Sequence, residues 1–204
     1  MNVTTSGLQM CMEKGFLQVD TKEGFVWSSG MQSPMYCDFR NVFSDVTVRR
    51  QLVSEWKELI LREFAGVDAV IGTATAGIPH ASWLAEELDL PMGYARSKPK
   101  AHGLGKQIEG GIGRGVKVLI VEDLISTGGS SANAVEACTR EGYEVVGITS
   151  LFSYGLQKAV ETFAELEVEA HSLYQFDDLL PLLDGDKVDV RAVKEWHKKF
   201  SSSK

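Results

Sequence analysis

Two adjacent carboxylates, Glu122 and Asp123, stand just ahead of a small hydroxylated loop, Ser126-Thr127-Gly128-Gly129-Ser130, with Leu124 and Ile125 between. The residue types divide the chemistry. The loop offers backbone N–H groups with little side-chain bulk, and at a helix N-terminus such a loop holds an anion, most naturally a phosphate. Carboxylates are poor company for phosphate but accept hydrogen bonds from sugar hydroxyls. Together the two halves suit a sugar phosphate, and ribose 5-phosphate fits the size. The plainer reading of the loop alone is a helix capped by Ser126 or Thr127. Two acids directly before the loop, on a strand as apolar as Val116 to Val121, favour the ligand reading.

Two other segments carry matching chemistry. Thr73-Ala74-Thr75-Ala76-Gly77 follows an apolar run and has side chains small enough for a second phosphate group to reach backbone N–H donors, although a plain strand-to-helix turn reads the same way. Between Ala95 and Lys117 lie six basic residues against one acid, Glu109, inside a chain whose net charge is −7. That local excess is a place for a small polyanion. Arg96, Lys100 and His102 fall on alternate positions, so an extended chain points all three the same way. On a long loop from Ala95 to Arg114 that reads as a mobile lid, with Gly103, Gly105, Gly110, Gly111, Gly113 and Gly115 as hinges, they form a clamp for a departing pyrophosphate. The bland alternative is a solvated charged face.

Several classes are excluded or disfavoured. No lysine follows Gly128-Gly129, which removes a P-loop, and no G-x-G-x-x-G closes after Gly103 and Gly105, which disfavours a dinucleotide site. The net acidity argues against a nucleic-acid binder, and no apolar run approaches the ~20 residues of a membrane span. The N-terminal residues lack the pattern of a signal peptide. Cys11, Cys37 and Cys138 read as reduced thiols of a cytoplasmic protein, and His80, His171 and His197 as structural.

The elements that must position these residues alternate. Strands are expected over Val67 to Gly72, Met92 to Arg96, the stretch from Val116, Glu144 to Phe152 and Val168 to Tyr174. Helices are expected over Ile78 to Leu88, after Ser130 and over Gly155 to Leu166. This is an α/β pattern: a central parallel sheet of about five strands flanked by helices. A helix over residues 4 to 18 and short strands over Gly24 to Arg40 make a small N-terminal hood lobe (about 1–42). Ser44-Asp45 caps a long helix with a core stripe from Val48 to Phe64, opening the core (about 43–175), and two C-terminal helices finish a single domain of residues 1–204 (176–204).

Taken together these parts resemble the type I phosphoribosyltransferases, and among them the branch that uses orotate. The stretch from Val118 to Ser130 resembles that family's motif for phosphoribosyl pyrophosphate (PRPP). Arg96-Ser97-Lys98-Pro99-Lys100-Ala101-His102-Gly103 resembles the lid of the orotate branch, and Ser33-Pro34-Met35-Tyr36-Cys37-Asp38 its base-binding segment. The resemblance implies transfer of ribose 5-phosphate from PRPP to orotate, with Mg²⁺ carried by PRPP, in a homodimer whose lid reaches the neighbouring subunit's site. It implies PRPP contacts along Glu122, Asp123, Leu124, Ile125, Ser126, Thr127, Gly128, Gly129 and Ser130, the carboxylates on the ribose and Thr127 to Ser130 on the 5-phosphate. Ser126, Tyr36 and Cys37 would meet orotate, and Thr73, Ala74, Thr75, Ala76 and Gly77 the pyrophosphate. Lys100 and Asp123 would have catalytic roles, with Arg96 and His102 assisting. Where many relatives carry lysine this chain has Ser28 and Ala76, and Ser97 where some do, so Arg96 and backbone N–H groups are expected to neutralise more of the substrates' charge. A phosphoribosyltransferase for another base, a nucleotide-sensing regulator and a sugar-phosphate binding module remain the alternatives.

Overall fold

The computed structural model of the chain describes residues 6–27, 30–99 and 106–201. Ser28, Lys100 and His102 lie outside the described residues. A first helix, α1 (Gly7–Glu13), precedes four short strands, β1 (Leu17–Val19), β2 (Phe25–Val26), β3 (Gln32–Ser33) and β4 (Met35–Cys37). β1 pairs antiparallel with β4, and β2 with β3, which builds the hood from two ribbons. The helix expected over residues 4 to 18 is therefore cut short. Gly15 takes φ +73° and the Phe16 N–H returns to the Cys11 carbonyl at 2.8 Å, a left-handed stop that frees Leu17 to enter a strand.

A 3-10 stretch (Phe39–Ser44) leads into α2 (Val46–Glu63), where Asp45 Oδ1 accepts from the N–H groups of Thr47 and Val48, each at 3.1 Å. The alternating core follows: β5 (Ala69–Thr73), α3 (Gly77–Leu88), β6 (Met92–Ala95), β7 (Ile108–Glu109), β8 (Lys117–Ile125), α4 (Gly129–Glu141), β9 (Glu144–Ser153), α5 (Gln157–Glu165) and β10 (Ala170–Gln175). The short α6 (Phe176–Leu179) and the terminal α7 (Val190–Ser201) end it.

Strand order is β10-β9-β8-β5-β6-β7, with the first five parallel and β7 antiparallel to β6 at the edge. The five parallel strands are those expected; the sixth comes from inside the segment read as one long loop. Ile108 is buried, and its pairing with Ala95 shortens that loop from its C-terminal side. Of the glycines beyond it, Gly110 is closely packed, since a Cβ there would lie 2.6 Å from the Gly93 Cα, while a Cβ on Gly111, Gly113 or Gly115 would meet nothing within 4 Å.

β8 explains the apolar run on which the paired acids stand. Leu119 and Val121 pack into the core shared with α2 and α3, while Val118 and Ile120 pack into the core shared with α4 and α5. A strand buried on both faces has no polar alternation. Across the sheet, Trp56 Nε1 donates to Thr149 Oγ1 at 2.7 Å, and that hydroxyl donates to the His171 carbonyl at 2.9 Å, fixing α2 over β9. Replacing Trp56 by Phe leaves the hydroxyl without its donor and should cost about 1–3 kcal/mol. For a chain of this length that is about 2–4 °C of Tm per kcal/mol, with turnover at saturating substrate retained. An unchanged melting temperature would show the bond to be energetically idle.

Candidate active site

The C-terminal ends of β5 and β8 lie side by side, and each runs into a helix whose first turn is uncapped. Gly128 at the start of α4 and Ala76 at the start of α3 make no side-chain capping bond. Ser126 and Thr127 are thus not N-caps, and the uncapped start of α4 can meet an anion, whereas α3 offers fewer donors, since the Ile78 N–H donates to the Thr75 carbonyl at 3.3 Å and Pro79 has no N–H. Glycine is required at two points. Gly128 sits at φ +79°, and a Cβ there would lie 2.9 Å from Phe163 Cζ. A Cβ on Gly77 would lie 2.5 Å from the Val121 carbonyl oxygen, which is how closely the loop Thr73 to Gly77 lies against β8. Thr73 Oγ1 strengthens that seam by donating to the same carbonyl at 3.2 Å.

The two acids are not equivalent. Glu122 is buried and already engaged: its Oε2 accepts from Ser130 Oγ at 2.6 Å and its Oε1 from the Asp123 N–H at 3.1 Å. It ties the strand to the first turn of α4. Asp123 is largely buried beside it, and burial first, then the Glu122 carboxylate, pushes its pKa well above the usual carboxylate range. Both causes favour the protonated form of Asp123 in the free site, and a partner that donates hydrogen bonds would favour its ionised form. Of the other stretch residues, Leu124 faces a cavity, whereas the Ile125 side chain is buried in the core and its carbonyl accepts from the Tyr154 N–H at 3.0 Å.

Two cavities flank the loop. One, about 280 Å³, lies between Thr73-Ala74 and the α4 start at Gly129-Ser130, with Arg96 on its wall. The other, about 450 Å³, opens on the hood side, with Ser126 and Thr127 on one wall and Trp27, Tyr36, Cys37 and Tyr154 on the others. Arg40 also lines it, a residue the sequence reading passed over, although an extended reading from Tyr36 puts residues 36, 38 and 40 on one side. Arg96, from which charge compensation was expected, reaches only the first cavity, where its Nη1 lies 3.6 Å from Glu109 Oε1. Its backbone N–H donates to the Gln107 carbonyl at 2.9 Å, and the Gln107 and Ile108 N–H groups donate to Glu141 at 2.6 and 3.1 Å, which anchors this end of the basic segment to α4.

The aromatic wall is braced from behind. Trp27 and Tyr154 pack with centroids 4.6 Å apart, and Trp196 of α7 meets the edge of Trp27 at 5.7 Å while its Nε1 donates to the Gln32 carbonyl at 2.8 Å. His197 Nε2 donates to the Tyr154 carbonyl at 2.7 Å, and its ring stacks on Phe176. Cys37 is no nucleophile, since burial pushes its thiol up to about 12. His80 is likewise structural, boxed by Phe43, Trp56 and Trp83, with burial lowering its pKa to about 4.

The chain is similar to known proteins over most of its length. The family model described as a phosphoribosyl transferase domain matches residues 49–172. An orotate phosphoribosyltransferase of Listeria monocytogenes is 43% identical over 202 residues, 97% of each chain, and that of Staphylococcus haemolyticus is 46% identical over 176 residues, 84% of this chain and 87% of that protein. Among solved structures, the orotate phosphoribosyltransferase of Aeropyrum pernix superposes with a TM-score of 0.75 at 32% identity, over 85% of this chain and 95% of that one. The adenine phosphoribosyltransferase of Saccharomyces cerevisiae, at 20% identity and a TM-score of 0.62, shares the fold. By the domain model and by these relatives, the chain belongs to the phosphoribosyltransferase family, within its group of orotate phosphoribosyltransferases.

Proposed function

We propose that the protein is a cytoplasmic enzyme of pyrimidine nucleotide synthesis that transfers the ribose 5-phosphate of PRPP to orotate, giving orotidine 5′-monophosphate and pyrophosphate. The observation that carries this reading is the placement of the Ser126 to Ser130 loop between two unlike cavities, one aromatic and one walled by backbone N–H donors and a cation. A ribose 5-phosphate seated on the loop would present C1 between them. The bond from C1 to the pyrophosphate oxygen breaks with its electron pair leaving on pyrophosphate, and a ring nitrogen of orotate, giving up its proton to the departing pyrophosphate, supplies the pair for the new C–N bond. A regulator would have no use for a clamp on a leaving group.

Each residue then has a task. Thr127 to Ser130 and the α4 start hold the 5-phosphate, and Asp123 accepts from the ribose hydroxyls while Glu122 holds the loop in shape. Ser126, Tyr36 and Cys37 border the base, and Thr73 to Gly77 receive the pyrophosphate. Lys100, with Arg96 and His102, stabilises charge on the departing group and closes out water. Among the described residues no group of three or more His, Cys, Asp or Glu is gathered to hold a metal ion. Mg²⁺ would enter with the substrate, carried by PRPP, and would supply charge neutralisation there. No helix of the described residues is long and apolar enough to cross a membrane. The working unit is a homodimer in which the lid of one subunit serves the site of the other.

The primary experiment follows loss of orotate absorbance with PRPP and Mg²⁺. Lys100→Ala should lower kcat by about 10²-fold or more while circular dichroism stays unchanged, as when a transition-state donor is removed; near-normal turnover would refute its role. Asp123→Asn should lower kcat/KM at least about tenfold, the worth of a hydrogen bond to a charged group. The same change should stabilise the ligand-free protein, and the sign follows from linkage. A carboxyl whose folded pKa is raised keeps its proton in the folded state while the unfolded chain loses it, so stability drains away as pH rises from about 4 toward 8. The melting temperature of Asp123→Asn should therefore match the parent at low pH and exceed it at pH 8, and equal values at pH 8 would contradict a protonated Asp123. If lids are shared, mixing and re-equilibrating the two variants should restore about a quarter of parental activity, since half the dimers then carry one intact site; no recovery would place each lid over its own subunit.

A further inference from the structure

The base-side cavity needs a donor for the carboxylate that distinguishes orotate from uracil, and position 28 is serine. Among the described residues lining that cavity, Arg40 is the one cation, and no carboxylate lines it. Arg40 is also oriented. Its Nε donates to Asp38 Oδ1 at 2.6 Å and its Nη2 to Asp38 Oδ2 at 2.9 Å, while the Arg40 backbone N–H donates to the same Oδ1 at 3.3 Å. This fork uses one edge of the guanidinium and two of its five N–H donors. The other edge, between Nη1 and Nη2, keeps two parallel donors, the geometry that receives a second carboxylate in bidentate fashion. Tyr36, Trp27 and Tyr154 supply flat apolar walls in the same cavity, and Ser126 and Thr127 join it to the phosphate loop.

We infer that Arg40, its plane fixed by Asp38, grips the substrate's carboxylate through that free edge and makes this site choose orotate over uracil. The inference rests on the reaction proposed above and adds to it the residue that sets specificity. Because Asp38 already balances the charge of Arg40, selection comes from the direction of the N–H donors more than from net charge. Arg96 cannot take this part, because it borders the other cavity. The Arg40 side chain is 60% exposed, which caps the effect below that of a fully desolvated pair.

The test measures orotate and PRPP separately. Arg40→Ala should raise KM for orotate by about 10–100-fold, leave the Kd of PRPP within about twofold, and reduce the preference for orotate over uracil by a similar factor. Arg40→Lys keeps the charge but not the parallel donors and should recover only part of the preference. Asp38→Asn, which loosens the fork, should fall between. Arg40→Gln replaces the alanine variant should that one fail to fold. An unchanged KM for orotate in Arg40→Ala overturns the assignment, as does an equal loss for orotate and PRPP, which would mark a merely structural residue. Failure of the parent enzyme to consume orotate would instead overturn the reaction itself, so the two results are distinguishable.

Discussion

Everything at the site depends on how closely the backbone after β5 approaches the backbone of β8. Gly77 has no room for a side chain against the Val121 carbonyl, and Gly72 has none against Gly77 and Ile78. These two contacts, with the Thr73 hydroxyl closing the seam, set the starts of α3 and α4 next to each other on one edge of the sheet. The uncapped start of α4, beside a loop of small residues at the start of α3, is an anion-attracting arrangement. Under the proposed reading, the 5-phosphate of the sugar meets the α4 start and its diphosphate the loop after β5.

The same crowding makes the carboxylates unusual. Ionised acids are out of place near a phosphate cradle, yet Glu122 is spent on Ser130 and the Asp123 N–H, so it works as part of the scaffold. Asp123 is left largely desolvated beside the Glu122 carboxylate, which favours its protonated form. Such a conflict between local comfort and chemistry is expected at a functional position. It separates two residues that look interchangeable in the sequence: one shapes the loop, and the other is available to a sugar.

Legibility in the sequence followed how local each interaction is. β8 and the loop after it could be read because a doubly buried strand leaves an unbroken apolar run, which the acids then interrupt within a few residues. The long basic segment was harder. Its second strand is two residues long, and its anchor, Gln107 on Glu141, joins positions that only folding brings together. Arg40 escaped notice for the same reason. Its partner Asp38 is two residues away and reads as an ordinary surface pair, whereas its role depends on Ser126 and Tyr154 forming the facing walls. The loop start itself was open to a capping reading, which was settled only by Gly128 adopting a left-handed backbone.

The brace that α7 places behind Trp27 and Tyr154 has a consequence for assembly. The phosphate loop is made of neighbours in the chain and can take shape as soon as β8, α4 and their flanking strands have come together. The aromatic cavity draws on the hood, on the end of β9 and, through Trp196 and His197, on the final helix. Under the proposed reading, the residues that would seat a sugar phosphate can therefore order without α7, whereas the aromatic wall that would meet the base needs α7 packed back against the hood.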